Sequence, residues 1–379
     1  MGLPVWIRTP EELAALAATL DGSEAVAIDT EADSLHHHPG KLCLVQIASA
    51  RGDAHLVDPL ALRDLGPLGP LCATAGTVKV LHAGDNDLAY LKRLYGFRIV
   101  SLFDTALAAR FLGVTALSLD GLLVQFLGVE PPKSRQKDDW SRRPLSAEQE
   151  AYALNDVLHL IPLRARLLEE LRGKGRDRWV EEECAALAAA GVPDKPLDPD
   201  AYLALKGSKD LDRRSLAVLR ELYQARETMA RARDRPPFMI IGNESLVRLA
   251  RERPRAAAGV RAIPGCGPTV VRRFGDIILE AIARGEAVPD RELPVRPRTP
   301  RPIVPAPVRR RAEALRAWRL RASEQLGLEP GLLLPQRLID RLAAGPPPDV
   351  VALTQADGVR RWRAELFGHE LLKVIAHAQ

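Results

Sequence analysis

Two apolar runs of strand type lead directly into acidic residues, and this pattern constrains the fold more than any other feature of the chain. Residues 25–28 (Ala-Val-Ala-Ile) continue into Asp29, Thr30 and Glu31. Because side chains alternate along a strand, Asp29 and Glu31 are predicted to share one face while Thr30 points to the other. An apolar run that ends in carboxylates indicates a buried strand that opens into a polar pocket.

The second apolar run, residues 78–82, is followed by Gly84, which permits a sharp turn into a helix predicted to start near Asn86. Asp87 then falls in the first turn of that helix. Asp85 precedes the helix, and we interpret it as an N-cap or a spare acid rather than as a ligand.

A helical pattern over about residues 147–171 carries the third polar block. Tyr152 and Asp156 are four residues apart and therefore lie on the same helix face. That face offers a phenol and a carboxylate together. With the first two blocks it makes a set of four acids and a tyrosine, which suits the binding of two divalent cations.

The three blocks, in this order and with these flanking residues, resemble the DEDD superfamily of 3'-5' exonucleases, and the Tyr-x-x-x-Asp block is typical of its tyrosine subgroup. Five further segments are similar to ribonuclease D: 44–47 (Leu-Val-Gln-Ile), 57–60 (Val-Asp-Pro-Leu), 81–84 (Leu-His-Ala-Gly), 103–105 (Phe-Asp-Thr) and 139–145 (Asp-Trp-Ser-Arg-Arg-Pro-Leu). The resemblance covers most of residues 1–185 and implies an α/β domain of ribonuclease H-like type with a mixed sheet of five strands. The strand candidates are 25–29, 42–48, 54–58, 78–82 and a short segment near Ile99.

The resemblance also implies roles for the five site residues. Two Mg2+ or Mn2+ ions would be held by four carboxylates, with Asp29 bridging both ions, Glu31 and Asp156 on the ion that carries the nucleophile, and Asp87 on the other. Tyr152 would orient the attacking water or help to deprotonate it; the ordinary pKa of a phenol makes orientation the safer interpretation.

Three further features flank these blocks. Gln46 and His82 lie within the segments that resemble the family and are candidate nucleic-acid contacts. Residues 36–38 are three adjacent histidines, where the family has aromatic or aliphatic residues. They could hold a metal, but consecutive side chains diverge, so a solvated loop beside the pocket is the favoured interpretation.

The C-terminal half contains an internal repeat with an offset of 93 residues and no gaps. Phe274-Gly275 aligns with Phe367-Gly368, and the helical spacing of apolar residues recurs in both copies. Both copies resemble the helicase and ribonuclease D C-terminal domain (HRDC), an all-α bundle. The predicted division is an exonuclease domain (1–190), a linker (191–205), a first HRDC domain (206–293), a linker rich in Pro and Arg (294–310) and a second HRDC domain (311–379).

The first copy has a glycine-rich turn before its last long helix. Backbone amides exposed at such a helix start can hold a phosphate, which makes Gly265 and Gly267 candidate contacts together with Arg272 and Arg273 one turn further on. A simple tight connection between helices is an equal alternative. The second copy lacks the second glycine, and packing onto the catalytic domain is its competing role.

Charge is divided unevenly along the chain. Residues 1–190 contain 20 Lys+Arg and 26 Asp+Glu, a net −6, whereas residues 191–379 contain 34 and 23, a net +11. An acidic half needs cations to hold a polyanion, and a basic half attracts one directly. Aromatic residues make up 4% of the chain, which argues against extended base stacking as the main binding mode.

The remaining expectations concern the cellular compartment, membrane association and oligomeric state of the protein. Four widely spaced cysteines without a Cys-x-x-Cys pair favour a reducing cytoplasm and no zinc. The sequence has no apolar run of membrane-spanning length and no standard signal segment, so no membrane association is expected. A monomer is expected.

The favoured function is a metal-dependent 3'-5' exoribonuclease that releases 5'-mononucleotides from RNA with a free 3' end. Precursor transfer RNA is the substrate that the family resemblance implies. An exonuclease acting on DNA remains an alternative, since sugar discrimination depends on contacts to the 2'-hydroxyl. A non-catalytic RNA-binding adaptor is disfavoured because all five active-site positions hold the expected residue types.

Overall fold

The computed structural model describes residues 5–192, 198–296 and 304–378, and its N-terminal part is built on a mixed sheet of six strands in the order β1-β4-β3-β2-β5-β6. The strands are β1 (Val5–Ile7), β2 (Ala25–Ala32), β3 (Leu42–Ser49), β4 (Ala54–Val57), β5 (Val78–Leu81) and β6 (Leu102–Asp104). β2 is central and pairs antiparallel with β3 and parallel with β5. β3 and β4 pair antiparallel, whereas β1 runs parallel to β4 and β6 parallel to β5.

The observed sheet differs from the predicted sheet of five strands in two places. The edge strand β1 has three residues, too few for an alternating pattern to be recognised. The strand predicted near Ile99 is wrong, because the pairing with β5 begins at Leu102. The other four predicted strands form, and β2 continues through the acidic residues to Ala32.

Nine helices of the described N-terminal part surround the sheet. They are α1 (Pro10–Leu20), α2 (Pro59–Leu62), α3 (Gly69–Ala73), α4 (Asp85–Tyr95), α5 (Thr105–Leu112), α6 (Leu119–Leu127), α7 (Ala147–Leu158), α8 (Leu160–Gly173) and α9 (Asp177–Ala189). The single helix predicted over 147–171 is divided at His159. Pro162 has no amide hydrogen to donate to the carbonyl of Leu158, which a continuous helix would require.

The two C-terminal modules repeat one arrangement of five helices. The first contains α10 (Arg213–Ala232), α11 (Pro237–Ile240), α12 (Asn243–Glu252), α13 (Ala257–Ala262) and α14 (Pro268–Ala287). The second contains α15 (Ala306–Leu326), α16 (Pro330–Leu333), α17 (Gln336–Ala344), α18 (Val350–Gln355) and α19 (Arg361–His377). Each helix of the first module begins 93 residues before its counterpart, as the repeat in the sequence predicts.

The hydrophobic cores do not coincide with the three domains that the sequence predicts. One continuous core includes the sheet, its helices and the second module, from Ala312 to Ile375. The first module has a core of its own, and Tyr202, which we predicted to lie in the linker, is buried in it. A small third core lies between α7 and the strands β3 and β4.

Both predicted linkers fall partly outside the described residues, at 193–197 and 297–303. α15 begins at Ala306, inside the segment that we predicted as the second linker. Across the described ranges, every helix is too short or too polar to cross a lipid bilayer.

Candidate active site

The first two acids project from the second half of β2. Ala25 to Ile28 are buried, and the strand then continues into Asp29, Thr30 and Glu31. Alternation places Asp29 and Glu31 on the face covered by α7, while Thr30 points to the opposite face. β3 pairs with β2 along Asp29, Thr30 and Glu31, whereas β5 pairs with β2 at Ala25–Ala27, so the acids lie beyond the pairing with β5.

α7 brings the tyrosine and the third acid to the same face. A capping box between Ser146 and Gln149 begins the helix, and Ala153 is buried against the sheet. Asp156 then lies beside the strand acids. One carboxylate oxygen from each of Asp29, Glu31 and Asp156 lies within 4.8 Å of the others, and this is the one such acidic group within the described residues.

Asp87 reaches the site from the first turn of α4, and Thr30 Oγ1 donates a hydrogen bond to Asp87 Oδ1. The sharp turn before this helix needs glycine, since a Cβ on Gly84 would lie 2.6 Å from Leu81 Cδ2 and 2.9 Å from Leu81 Cβ. Gly84 is itself the N-cap, so our interpretation of Asp85 as an N-cap is wrong. Asp85 is exposed and lines a different depression from the one that contains Asp87.

These residues line one open cleft with a volume of about 800 Å³. Most of the side chains that line it are polar. In addition to the five predicted residues, its lining includes Thr30, Ser34, Leu35, His82, Asn86, Tyr90, Ser118, Asp120, Ser134, Gln136 and Lys137.

Burial and repulsion between carboxylates raise the pKa values of four acids in the cleft, Asp29, Glu31, Asp87 and Asp156. Burial is the largest cause at each one. It acts with the charges of Asp156 and Asp87 to raise the pKa of Glu31 to about 9. The pKa of Asp156 rises to about 7 and that of Asp87 to about 6, while the pKa of Asp29 is well above its usual value. Four carboxylates whose negative charge is so poorly compensated fit a site for cations.

The phenol of Tyr152 stays protonated in this setting. Burial, followed by the charges of Asp156 and Glu31, raises its pKa further above the ordinary value. Its ring packs against Trp140, with centroids 6.1 Å apart. A neutral phenol held beside the acids can donate a hydrogen bond to a water or a phosphate oxygen, and it is a poor general base.

The two candidate nucleic-acid contacts near the sheet have different positions. His82 lines the cleft, accepts or donates a 2.9 Å hydrogen bond with Thr105 Oγ1, and has its pKa lowered by burial. Gln46 is fully buried opposite Asp29 in the pairing of β2 and β3, and it does not line the cleft. Its amide finds no hydrogen-bond partner within the described residues. The structure therefore does not support direct contact between Gln46 and nucleic acid.

Asp120 lines the cleft and was not identified from the sequence. It lies in the first turn of α6, after the N-cap Ser118, and its charge raises the pKa of Asp156. In sequence it is indistinguishable from any acid near a helix start. Lys137, the cationic residue of the cleft lining, lies in a loop without a pattern that would have indicated its position.

The three-histidine loop joins the exonuclease part to the first helical module. His36 Nε2 lies 2.8 Å from the carbonyl of Lys137. His37 bridges Ser141 Oγ at 3.0 Å and Asp234 Oδ2 at 2.7 Å, and the amide of His38 donates to Asp234 Oδ1. The loop lies beside the cleft as predicted, but it is not simply solvated, because the side chain of His37 contacts the first helical module and that of His36 contacts the backbone of Lys137.

The glycine-rich turn of the first module leads into α14 and needs glycine at position 265. Gly265 has a φ of +84°, and a Cβ there would lie 2.4 Å from Ser245 Oγ. Gly267 is the N-cap of α14, and Arg272 and Arg273 are exposed on that helix. The turn and the two arginines are therefore accessible to a ligand.

In the second module the equivalent helix start is covered by the exonuclease part. The amide of Trp362 donates to the carboxylate of Glu182 at 3.1 and 3.3 Å. Arg363 pairs with Glu183 at 2.6 Å, and Arg360 pairs with the same residue at 3.3 Å. Of the two roles left open for this module, the observed one is packing onto the catalytic domain.

Two family models match the chain. The model described as 3'-5' exonuclease matches residues 4–172, and the HRDC domain model matches twice, at residues 215–282 and 308–375. Together they extend over both halves of the protein.

Individual relatives match nearly the whole length. The chain is 36% identical to a ribonuclease D from Pseudomonas paraeruginosa, with 98% of each chain covered. The structure of this chain is similar to that of Escherichia coli RNase D, with a TM-score of 0.70 and 25% identity over 99% of both chains. That protein is described as an exoribonuclease involved in structured RNA processing. The catalytic core of RRP6 from Trypanosoma brucei matches at a TM-score of 0.66 and 29% identity over 75% of this chain and 79% of that one.

Proposed function

The chain belongs to the ribonuclease D family of 3'-5' exoribonucleases, and from this premise we propose that it trims the 3' ends of precursor transfer RNA by two-metal hydrolysis. The observation that carries the proposal is the group of carboxylate oxygens from Asp29, Glu31 and Asp156 within 4.8 Å of one another. With Asp87 beside them, they form a donor set of hard oxygen ligands.

The roles of the acids are those that the family resemblance implies. Asp29, whose pKa is raised by burial and then by the charges of Asp87, Asp156 and Glu31, would bridge two ions. Glu31 and Asp156 would complete the ion that carries the nucleophile. Asp87, held by Thr30, would reach the second ion. When bound, two Mg2+ or Mn2+ ions would generate the hydroxide nucleophile and stabilise the leaving 3' oxygen.

The protein's own groups would orient the reactants. Tyr152 would donate a hydrogen bond that holds the attacking water in line, since its raised pKa keeps the phenol protonated. The cleft has an open mouth lined by Lys137, which would attract the phosphate of the terminal nucleotide. Cleavage at a free 3' end would release one 5'-mononucleotide at a time.

The first helical module would supply phosphate contacts away from the cleft. The internal repeat supports this role for the first module. Trp362, whose amide binds the Glu182 carboxylate, corresponds to Thr269 at the start of α14. In the first module this amide position would be free to bind a phosphate between Gly267 and Arg273.

The remaining parts of the proposal concern the oligomeric state and the cellular location of the protein. We propose that the protein acts as a monomer in the cytoplasm. All four cysteines are buried and unpaired, which fits a reducing compartment.

The test uses a precursor transfer RNA with a short 3' extension and two matched oligonucleotides, one RNA and one DNA, each with a single free 3' end. Purified protein in Mg2+ should shorten the two RNAs and release 5'-mononucleotides, while Asp29→Asn should not. Faster degradation of the DNA would overturn the proposed substrate class. Resistance of the precursor, with degradation of the RNA oligonucleotide, would retain the activity and reject transfer RNA as its target.

A further inference from the structure

A corner of the first helical module lies at the rim of the cleft. Asp234 follows α10 and contacts the three-histidine loop through the side chain of His37 and the amide of His38. Ser34 and Leu35 of the same loop line the cleft. The contact therefore holds this part of the first module beside the path that leads to the active site.

The backbone of this corner is constrained. Asp234 has a φ of +47°, a conformation that residues other than glycine adopt at a cost. Pro236 and Pro237 follow and begin the short helix α11. Two prolines in succession restrict the chain, so the residues after them are presented in one orientation.

The residue presented is Phe238. The chain has 5 Trp, 5 Tyr and 7 Phe residues, all within the described ranges, and Phe238 alone among them is exposed, with 55% of its surface accessible. Its neighbour Met239 is 48% exposed. Burial of a phenylalanine side chain is normally favourable by about 2 kcal/mol, so this exposed pair is a site that a ligand could cover.

The surroundings of Phe238 are cationic. Arg231, Arg233 and Arg235 precede it on the exposed side of the corner, and none of them forms an ion pair with another described residue. Arg233 lies over the ring of Phe274, with its guanidinium carbon 4.8 Å from the ring centroid. An aromatic face flanked by uncompensated arginines fits a base and its phosphates better than it fits an apolar protein surface.

Phe238 lies close to this junction along the chain. It is four positions after Asp234, so the two Cα atoms are at most about 14 Å apart. A single strand whose 3' nucleotide occupied the cleft would pass this corner a few nucleotides upstream of its end.

We propose that Phe238 is a base-stacking site for an unpaired nucleotide of the substrate upstream of the 3' end, with Met239 and Arg235 completing the surface. The inference rests on the proposed RNA-degrading function and adds a substrate-binding position to it. It requires that a few unpaired nucleotides precede the cleaved bond, so the site would favour single-stranded 3' extensions over blunt helices. Since Phe238 is the sole exposed aromatic residue, it would stack a single base rather than an extended strand.

The test compares Phe238→Ala with Phe238→Trp, which retains an aromatic face, and with Leu366→Ala, which removes an apolar side chain of 48% exposure from the second module. Single-stranded RNAs of graded length are degraded in Mg2+. Phe238→Ala should raise KM about tenfold for long substrates, within the range that stacking of one base provides. It should leave kcat unchanged and have no effect on RNAs too short to reach the corner. Phe238→Trp and Leu366→Ala should behave as the wild-type protein.

Single abasic nucleotides placed along the RNA locate the contact. In the wild-type protein one upstream position should raise KM when abasic, and in Phe238→Ala the same position should have no further effect. An unchanged KM at every length would overturn the inference, and so would a defect that is insensitive to abasic substitution. Failure of the wild-type protein to degrade any RNA would instead reject the proposed function.

Discussion

Trp179 of the exonuclease domain and Trp362 of the second helical module stack with ring centroids 4.7 Å apart and 12° between their planes. Phe111 packs with its edge against Trp362 at 5.8 Å. This aromatic group lies within the core that the two parts share. The second module is consequently packed into the same hydrophobic core as the catalytic domain.

The aromatic stack predicts a large loss of stability when it is removed. Trp362→Ala should lower the free energy of unfolding by about 3–5 kcal/mol, because a buried tryptophan is replaced by a cavity. Urea denaturation measures this. Leu366→Ala on the same helix should change it by less than about 0.5 kcal/mol, since that side chain is largely exposed. Equal effects of the two variants would show that the second module does not depend on the stack.

The choice between the two acids in the first turn of α4 can be tested directly. Asp87→Asn should nearly abolish turnover because it removes a charged ligand that Thr30 holds in place. Asp85→Asn should retain most activity, since Asp85 lies outside the cleft. Turnover of an RNA oligonucleotide in Mg2+ is the measurement, and the reverse ranking would assign the wrong acid to the site.

Tyr152→Phe removes the hydroxyl but keeps the ring. If the phenol orients the attacking water, kcat should fall by roughly 100-fold to 10,000-fold with little change in substrate affinity. Tyr90→Phe, in the lining of the same cleft, is the matched control and should have little effect. Wild-type kcat in Tyr152→Phe would show that the phenol serves packing alone.

The raised pKa values predict that metal-free protein loses stability as the pH rises. A carboxyl whose pKa is higher in the folded state binds its proton more tightly there, so its stabilising effect is complete below its unfolded pKa of about 4. For Asp87, Asp156 and Glu31 that effect is lost as the pH rises through about 6, 7 and 9. The midpoint temperature of unfolding, measured in EDTA, should therefore fall as the pH is raised from about 5 to about 9.

Two comparisons test this explanation. Mg2+ at saturation should restore the midpoint at high pH, because bound cations compensate the carboxylates. Glu31→Gln should show a weaker pH dependence in EDTA, since one of the raised pKa values is absent. A midpoint in EDTA that is independent of pH would mean that the pKa values of these acids are not raised in the metal-free protein.

The proposed phosphate contacts of the first module predict a change in salt dependence. Replacing both Arg272 and Arg273 by Ala should weaken RNA binding and flatten the plot of log affinity against log salt by about one to two units. Arg291→Ala, an exposed arginine that pairs with Glu292, should leave the slope unchanged. Weaker binding with an unaltered slope would point to shape or packing contacts in place of phosphates.

The sequence by itself was enough to predict which acids line the cleft and that two helical modules follow the catalytic domain. Asp29, Glu31 and Asp156 could be placed because each lies on a regular element, where periodicity defines the face of a side chain. The two helical modules could be recognised because a repeat with an offset of 93 residues and no gaps preserves apolar spacing, and their helices begin at that same offset.

Only the tertiary structure decided how the parts contact one another. Gln46, predicted to contact nucleic acid, is buried opposite Asp29, whereas Asp120, which was not predicted, lines the cleft. The exposure of each side chain depends on what packs against its strand or helix. The contact of His37 with Asp234 joins residues almost 200 positions apart, and the stack of Trp179 on Trp362 joins two predicted domains. Local patterns carry no information about such pairs, since their energies arise only when distant surfaces meet.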